Sequence, residues 1–166
     1  MKNIILIGMP GCGKSTIGVL LAKNLAYQFL DADLVIQDRA GHKLQDLIDE
    51  MGPEAFAKLE NDINKTIETD HTVIATGGSA IYGKDAMEHF ASMGTVVYLK
   101  VSLEELCNRI TNFETRGIVL PGGESFEDVY NERQPLYEHY ADVTVSAEGK
   151  DIWAIVEDIT AALPNE

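Results

Sequence analysis

Apolar positions along the chain follow two rhythms that alternate, and the alternation itself predicts the fold class. Short unbroken apolar runs at Ile4-Ile5-Leu6-Ile7, Thr72-Val73-Ile74-Ala75-Thr76 and Thr95-Val96-Val97-Tyr98-Leu99 read as buried strands. Phe29-Leu30-Asp31-Ala32-Asp33 and Ala141-Asp142-Val143-Thr144-Val145 read as two more. Between them the period changes to that of a helix. Ile17, Leu20, Leu21 and Leu25 form one apolar face, and Phe56, Leu59, Ile63 and Ile67 form another at spacings of 3, 4 and 4. Leu34 to Ala40 and Leu44 to Glu50 make shorter helices, separated by Gly41-His42 and closed by Met51-Gly52-Pro53. Ile81 to Met93, Leu103 to Ile110, Ser125 to Tyr140 and Ile152 to Leu163 complete the helical set, with Ser102 as a cap and Trp153 packed beside Ile152 and Val156. Strand and helix in turn predict an α/β fold: a parallel sheet covered on both faces, with ligands at the carboxyl ends of its strands. Only Thr111 to Glu124 lacks a period. It holds Gly117, Pro121, Gly122 and Gly123 around Arg116, the profile of a functional loop.

The chemistry begins where the first strand ends. Gly8-Met9-Pro10-Gly11-Cys12-Gly13-Lys14-Ser15-Thr16 has the G-x-x-x-x-G-K-S spacing of a phosphate-binding P-loop, set between a strand and a helix. Glycines let the backbone from Gly11 through Cys12 and Gly13 curl its amide hydrogens toward a polyphosphate. The helix that opens at Lys14, Ser15 and Thr16 adds its positive dipole end. Lys14 can reach the β- and γ-phosphate oxygens, and the Ser15 hydroxyl can coordinate Mg²⁺.

Bulk properties narrow the partners. At 166 residues, 45% apolar and 24% charged, the chain is expected to form one domain, residues 1–166, with a real core. A formal charge of −14 argues against nucleic acid, which needs a basic face. No apolar run approaches the ~18 residues of a membrane span, so no membrane partner is expected. The N-terminus runs straight into a strand rather than a signal peptide, and two cysteines, Cys12 and Cys107, do not make a disulfide framework. A reducing cytoplasm is the expected location. Arginines number four, and three of them, Arg109, Arg116 and Arg133, fall within one short stretch of the chain.

Other signals carry two readings each. Asp31 and Asp33, two apart on a strand, share a face and suit work on a metal and a hydroxyl. Asp33 equally suits an N-cap for a helix starting at Leu34, and Asp31 a solvated turn. Gly77-Gly78, after the third strand, either admits a ligand to the backbone or makes a tight turn. The arginines either serve an anion or decorate helix surfaces.

Taken in order, the P-loop, Asp31-x-Asp33, Phe56 with Glu60, Thr76-Gly77-Gly78, Arg109 with Arg116, and Arg133-x-x-x-Tyr137 resemble the shikimate kinase family over essentially the whole chain. The resemblance implies a three-layer P-loop NTPase fold with a five-stranded parallel sheet. It also implies a helical substrate-binding region over 34–70 and a lid over 111–124. It implies an ATP- and Mg²⁺-dependent kinase that phosphorylates a small-molecule alcohol, shikimate first among them, as a cytoplasmic monomer. By position, Lys14 would stabilise the transferring phosphoryl group. Ser15 would ligate Mg²⁺ and Asp31 would hold it through water. Asp33 would orient the acceptor hydroxyl and take its proton. Arg116 would close from the lid, Arg109 would lie along the adenine, and Arg133 with the Gly77-Gly78 backbone would grip the acceptor.

Three positions depart from the family pattern. The family's Phe-Arg is Phe56-Ala57 here, which removes a charge-assisted clamp on the substrate carboxylate worth ~1.5–3 kcal/mol per hydrogen bond. Lys58 is turned about 100° away on a helix and does not simply replace it. The third glycine of Gly-Gly-Gly is Ser79, and the lid Arg-Pro is Arg116-Gly117. Two competing functions follow: the same chemistry on another small hydroxylated acceptor, or a nucleotide-binding regulatory protein without catalysis. Retention of Asp33 and Arg116 speaks against the second, because binding alone requires neither. A nucleoside monophosphate kinase would need more arginines than the chain has.

Overall fold

The computed structural model describes residues 2–110 and 124–164. Five strands form one sheet: β1 (Asn3–Ile7), β2 (Gln28–Asp31), β3 (Thr72–Ala75), β4 (Gly94–Lys100) and β5 (Val143–Ser146). All pairings are parallel and the order is β2-β3-β1-β4-β5. From β1 the chain crosses to β2 at one edge, returns to β3 beside β1, then moves to β4 and β5 on the other side. The order therefore reverses at β1, and the loops after β1 and β3 border the crevice where such sheets bind ligands.

Unbroken apolar runs form these strands because both sheet faces are covered. Ile5, Leu6, Ile7, Ile74, Val96, Val97 and Leu99 are fully buried. Eight α-helices are present among the described residues. Two of them, α1 (Lys14–Leu25) and α8 (Ile152–Ala162), pack on each other and on the sheet. Two more, α5 (Lys84–Met93) and α7 (Phe126–Tyr140), pack against β4. The short α6 (Leu103–Arg109) starts on Ser102, whose side chain accepts from the Glu105 amide. Between β2 and β3 lie α2 (Ala32–Ala40), α3 (Leu44–Met51) and α4 (Pro53–Asn64). These carry a separate apolar cluster of Ile36, Leu47, Ile48, Phe56 and Ile63. Pro53 opens α4 at a position where its missing amide hydrogen has no cost.

Three readings of the pattern need correction. The second strand ends at Asp31 rather than Asp33. The Asp31 side chain accepts from the amides of Asp33 and Leu34, so it is Asp31, and not Asp33, that caps a helix, and that helix begins at Ala32. The segment from Ile81 is not one helix: a 3₁₀ turn, Ala80–Tyr82, precedes α5. Trp153 stays 52% exposed, because α8 buries Ile155, Val156 and Ile159 instead.

Candidate active site

The turn between β1 and α1 behaves as its glycines require. Gly13 adopts φ 100°, in the left-handed region, and caps α1 without any side-chain oxygen. Among the described residues no side chain thus caps the first amide hydrogens of the helix, which can turn to an anion. Lys14, the first helical residue, folds back over the loop. Its ammonium donates to the carbonyl oxygens of Gly8 (2.7 Å) and Met9 (3.0 Å). Cys12 is fully buried, with Sγ 3.7 Å from that nitrogen, so it can serve a nucleotide only through its backbone.

The carboxyl end of β2 approaches the same loop. Ser15 Oγ donates to Asp31 Oδ2 at 3.2 Å, while Oδ1 of Asp31 is the helix cap. One carboxylate thus divides its oxygens between structure and the loop. Asp33 follows in the first turn of α2. The two aspartates reach one cleft through a strand-to-helix turn, not by sharing a strand face. That cleft has a volume of about 510 Å³. Its walls include Gly11, Gly13, Lys14, Ser15 and Thr16 from the loop and Asp31 and Asp33 from β2 and α2. Thr76, Gly77 and Gly78 after β3, and Arg109, complete it. Arg109 is fixed by Glu105 Oε1 (2.8 Å) and the Ala147 carbonyl (2.9 Å), so it is no free surface residue. Arg116 lies outside the described residues.

Beneath Gly77 sits a group to which no role was assigned. Glu60, on α4, is 2% exposed, and its Oε1 accepts from the Ser79 hydroxyl at 2.6 Å. A Cβ on Gly77 would lie 2.6 Å from Asp33 Oδ1 and 2.8 Å from Glu60 Oε2. Both carboxylates therefore close on the glycine, and only a hydrogen fits there. Burial pushes the Asp33 carboxyl up to about 6, with Asp31 adding to the rise and Lys14 opposing it. Burial pushes Glu60 up to about 7, with Asp33 adding and the Ser79 hydrogen bond and Arg133 opposing. The sequence signal was a carboxylate one turn from Phe56 on the apolar face of α4. Ser79 is likewise explained, since its hydroxyl turns away from the cleft to hold Glu60.

Glu60 makes stability pH-dependent. Its folded value of about 7 exceeds the 4.5 of an ordinary glutamate, so the folded state favours the neutral acid. That contribution is complete below pH 4.5 and disappears as pH rises through about 7. The expected result for Glu60→Gln is a flatter stability profile over this window, differing from wild type by up to ~3 kcal/mol of pH dependence. Urea unfolding at pH 4.5 and 8 measures it; parallel profiles would refute the assignment.

Arg133, from α7, has no exposed surface. Its Nε donates to the Tyr82 hydroxyl at 3.4 Å, and its Nη1 would lie 3.1 Å from a Cβ on Gly78. Arg133 thus stands behind the glycine turn, in contact with the cleft wall and not in the lining itself. Tyr137, one turn on, donates to the Gly78 carbonyl at 2.6 Å and pins the same turn.

In sequence and fold the chain is similar to known proteins. A family model described as shikimate kinase matches residues 10–164. A shikimate kinase of Francisella philomiragia is 38% identical over 169 aligned positions, covering 99% of this chain and 96% of its own length. A solved shikimate kinase from Acinetobacter baumannii, in complex with shikimate, superposes with a TM-score of 0.84 at 28% identity, covering 96% of this chain and 91% of its own. The Aquifex aeolicus enzyme gives 0.82 at 30% identity, with 96% and 95% covered. A family model that spans nearly the whole chain, a relative 38% identical along it and solved structures of the same fold lead to one conclusion: the chain belongs to the shikimate kinase family.

Proposed function

We propose that this chain transfers the γ-phosphoryl group of ATP to a hydroxyl of shikimate, giving shikimate 3-phosphate. One observation carries the reading: the phosphate-binding loop and a desolvated carboxylate, Asp33, open on the same cleft. Phosphoryl transfer asks a protein chiefly to position two oxygens in line and to neutralise charge. The amides at the start of α1 and the Lys14 ammonium serve the polyphosphate. Asp33, a stronger base than an ordinary aspartate yet ionised at pH 7, accepts the hydroxyl proton as the oxygen attacks. Arg109 flanks the nucleotide, and Arg116 from the lid at 111–124 adds positive charge at transfer. Arg133 and the Gly77-Gly78 backbone hold the acceptor, with residues 34–70 as the acceptor-side region of this single domain, 1–166.

Mg²⁺ fits the donors present. The described residues contain no cluster of three or more His, Cys, Asp or Glu that could cage a metal alone. Ser15 Oγ and Asp31 Oδ2 instead offer two hard oxygens 3.2 Å apart beside the phosphate loop. Magnesium is held this way, through few protein oxygens, waters and substrate phosphates. When bound it would neutralise charge on the β- and γ-oxygens. The reading takes the protein to act as a monomer. Free cysteines, one buried and one exposed, accord with a cytoplasmic location.

A specific observation favours a second acceptor reading. Ala57 borders a recess of about 240 Å³ with Lys58 and Tyr82, where the family resemblance calls for an arginine. The test is ADP release coupled to a spectroscopic readout, with shikimate and a panel of small hydroxylated acids and polyols. Turnover confined to a compound other than shikimate would replace the substrate and keep the chemistry; no alcohol accepting phosphate would end the reading. Ala57→Arg is expected to lower the KM for shikimate about tenfold. An unchanged KM would mean that residue 57 does not face the acceptor.

A further inference from the structure

Arg133 is a cation with no exposed surface, and a buried charge is useful only if its surroundings fix its direction. Its two sides are engaged differently. On the Nε side stands Tyr82, whose hydroxyl accepts at 3.4 Å and whose ring centroid lies 5.4 Å from the guanidinium carbon, within range of a cation–π contact. On the Nη1 side is the Gly78 turn. The fork is therefore held at its stem by an aromatic ring and directed toward the glycine turn that edges the cleft. Tyr82 closes the 3₁₀ turn that begins directly after Ser79, so the ring and the glycine turn are set by one stretch of backbone. On its open side Tyr82 faces the recess that Ala57, Lys58 and Asn61 of α4 also line.

We propose that Tyr82 is a positioning residue for acceptor binding. It aims the Arg133 guanidinium at the anionic group of the acceptor. With alanine at position 57, orientation of that group leans on Arg133 and the tyrosine that steers it. This inference rests on the reading that Arg133 grips a carboxylate-bearing acceptor.

The test is steady-state kinetics of Tyr82→Ala, Tyr82→Phe and Arg133→Ala, each with shikimate varied at saturating ATP and ATP varied at saturating shikimate. Tyr82→Ala is expected to raise the shikimate KM about tenfold, with kcat and the ATP KM changing far less. Tyr82→Phe keeps the ring and is expected to recover most of that loss. Equal rises in both KM values for Tyr82→Ala, or an unchanged shikimate KM, would overturn the proposal, and a Tyr82→Phe enzyme no better than Tyr82→Ala would overturn the role of the ring. If Arg133→Ala raises the shikimate KM while both tyrosine variants match wild type, the positioning role alone fails. If Arg133→Ala also leaves it unchanged, the acceptor role of Arg133 fails first and Tyr82 with it.

Discussion

Lys14→Ala is expected to lower kcat by about 10³-fold. The side chain begins α1 at the point where uncapped amide hydrogens already attract phosphate, and its ammonium is the cation buried in that loop. In the structure it rests on two backbone carbonyls, Gly8 and Met9, which hold it over the loop and away from solvent. A neutral methyl would leave the amides to carry the developing charge alone. Binding should suffer less than turnover, because the amides remain and the lysine acts most where charge builds up during transfer. Coupled ADP release gives kcat, and ATP titration gives the affinity. An alanine variant with undiminished kcat would reject the loop as the site of transfer.

Asp33→Asn is expected to cost 10²- to 10⁴-fold in kcat, roughly the range for losing a positioned general base, while ATP affinity holds within a small factor. Asparagine is nearly isosteric, so the packing of Gly77 against position 33 survives. What is lost is the ability to take a proton. The loss of a negative charge beside Glu60 should also relieve part of what holds that carboxyl high. Comparing kcat with the shikimate KM separates proton transfer from mere contact: a rise in KM at constant kcat would reduce Asp33 to a hydrogen-bond acceptor for the substrate.

Much of this arrangement was legible in the chain because it is local. The phosphate loop needs only a strand, a glycine spacing and a helix, and all three lie within 25 residues. Gly77-Gly78 and the single-sheet architecture follow from apolar runs and their breaks. Asp31 and Asp33 line one cleft, but not by the shared strand face that their spacing suggests. Period-two reasoning assumes that the strand continues, whereas the Asp31 side chain ends it by binding the next amides. The contact that Glu60 makes, and Tyr82 altogether, escape for a different reason. Their partners are Ser79, 19 residues away, and Arg133, 51 residues away, and no period or motif encodes such meetings. Ser79 was visible as a departure from the family, but the direction of its hydroxyl could come only from tertiary structure. The lid expected over 111–124, with Arg116, falls on residues 111–123, which lie outside those described.

The crowding at Gly77 limits how such a protein can diversify. Two acids converge on a spot with space for one hydrogen atom, so even the smallest side chain there would separate them. A lineage adapting to a new compound must leave that point untouched and alter the periphery, at positions such as 57, 79 and 82. Positions 57 and 79 are where this chain departs from the family pattern, and 82 is where an aromatic ring meets Arg133, the imprint expected of a rim that drifts around a fixed centre.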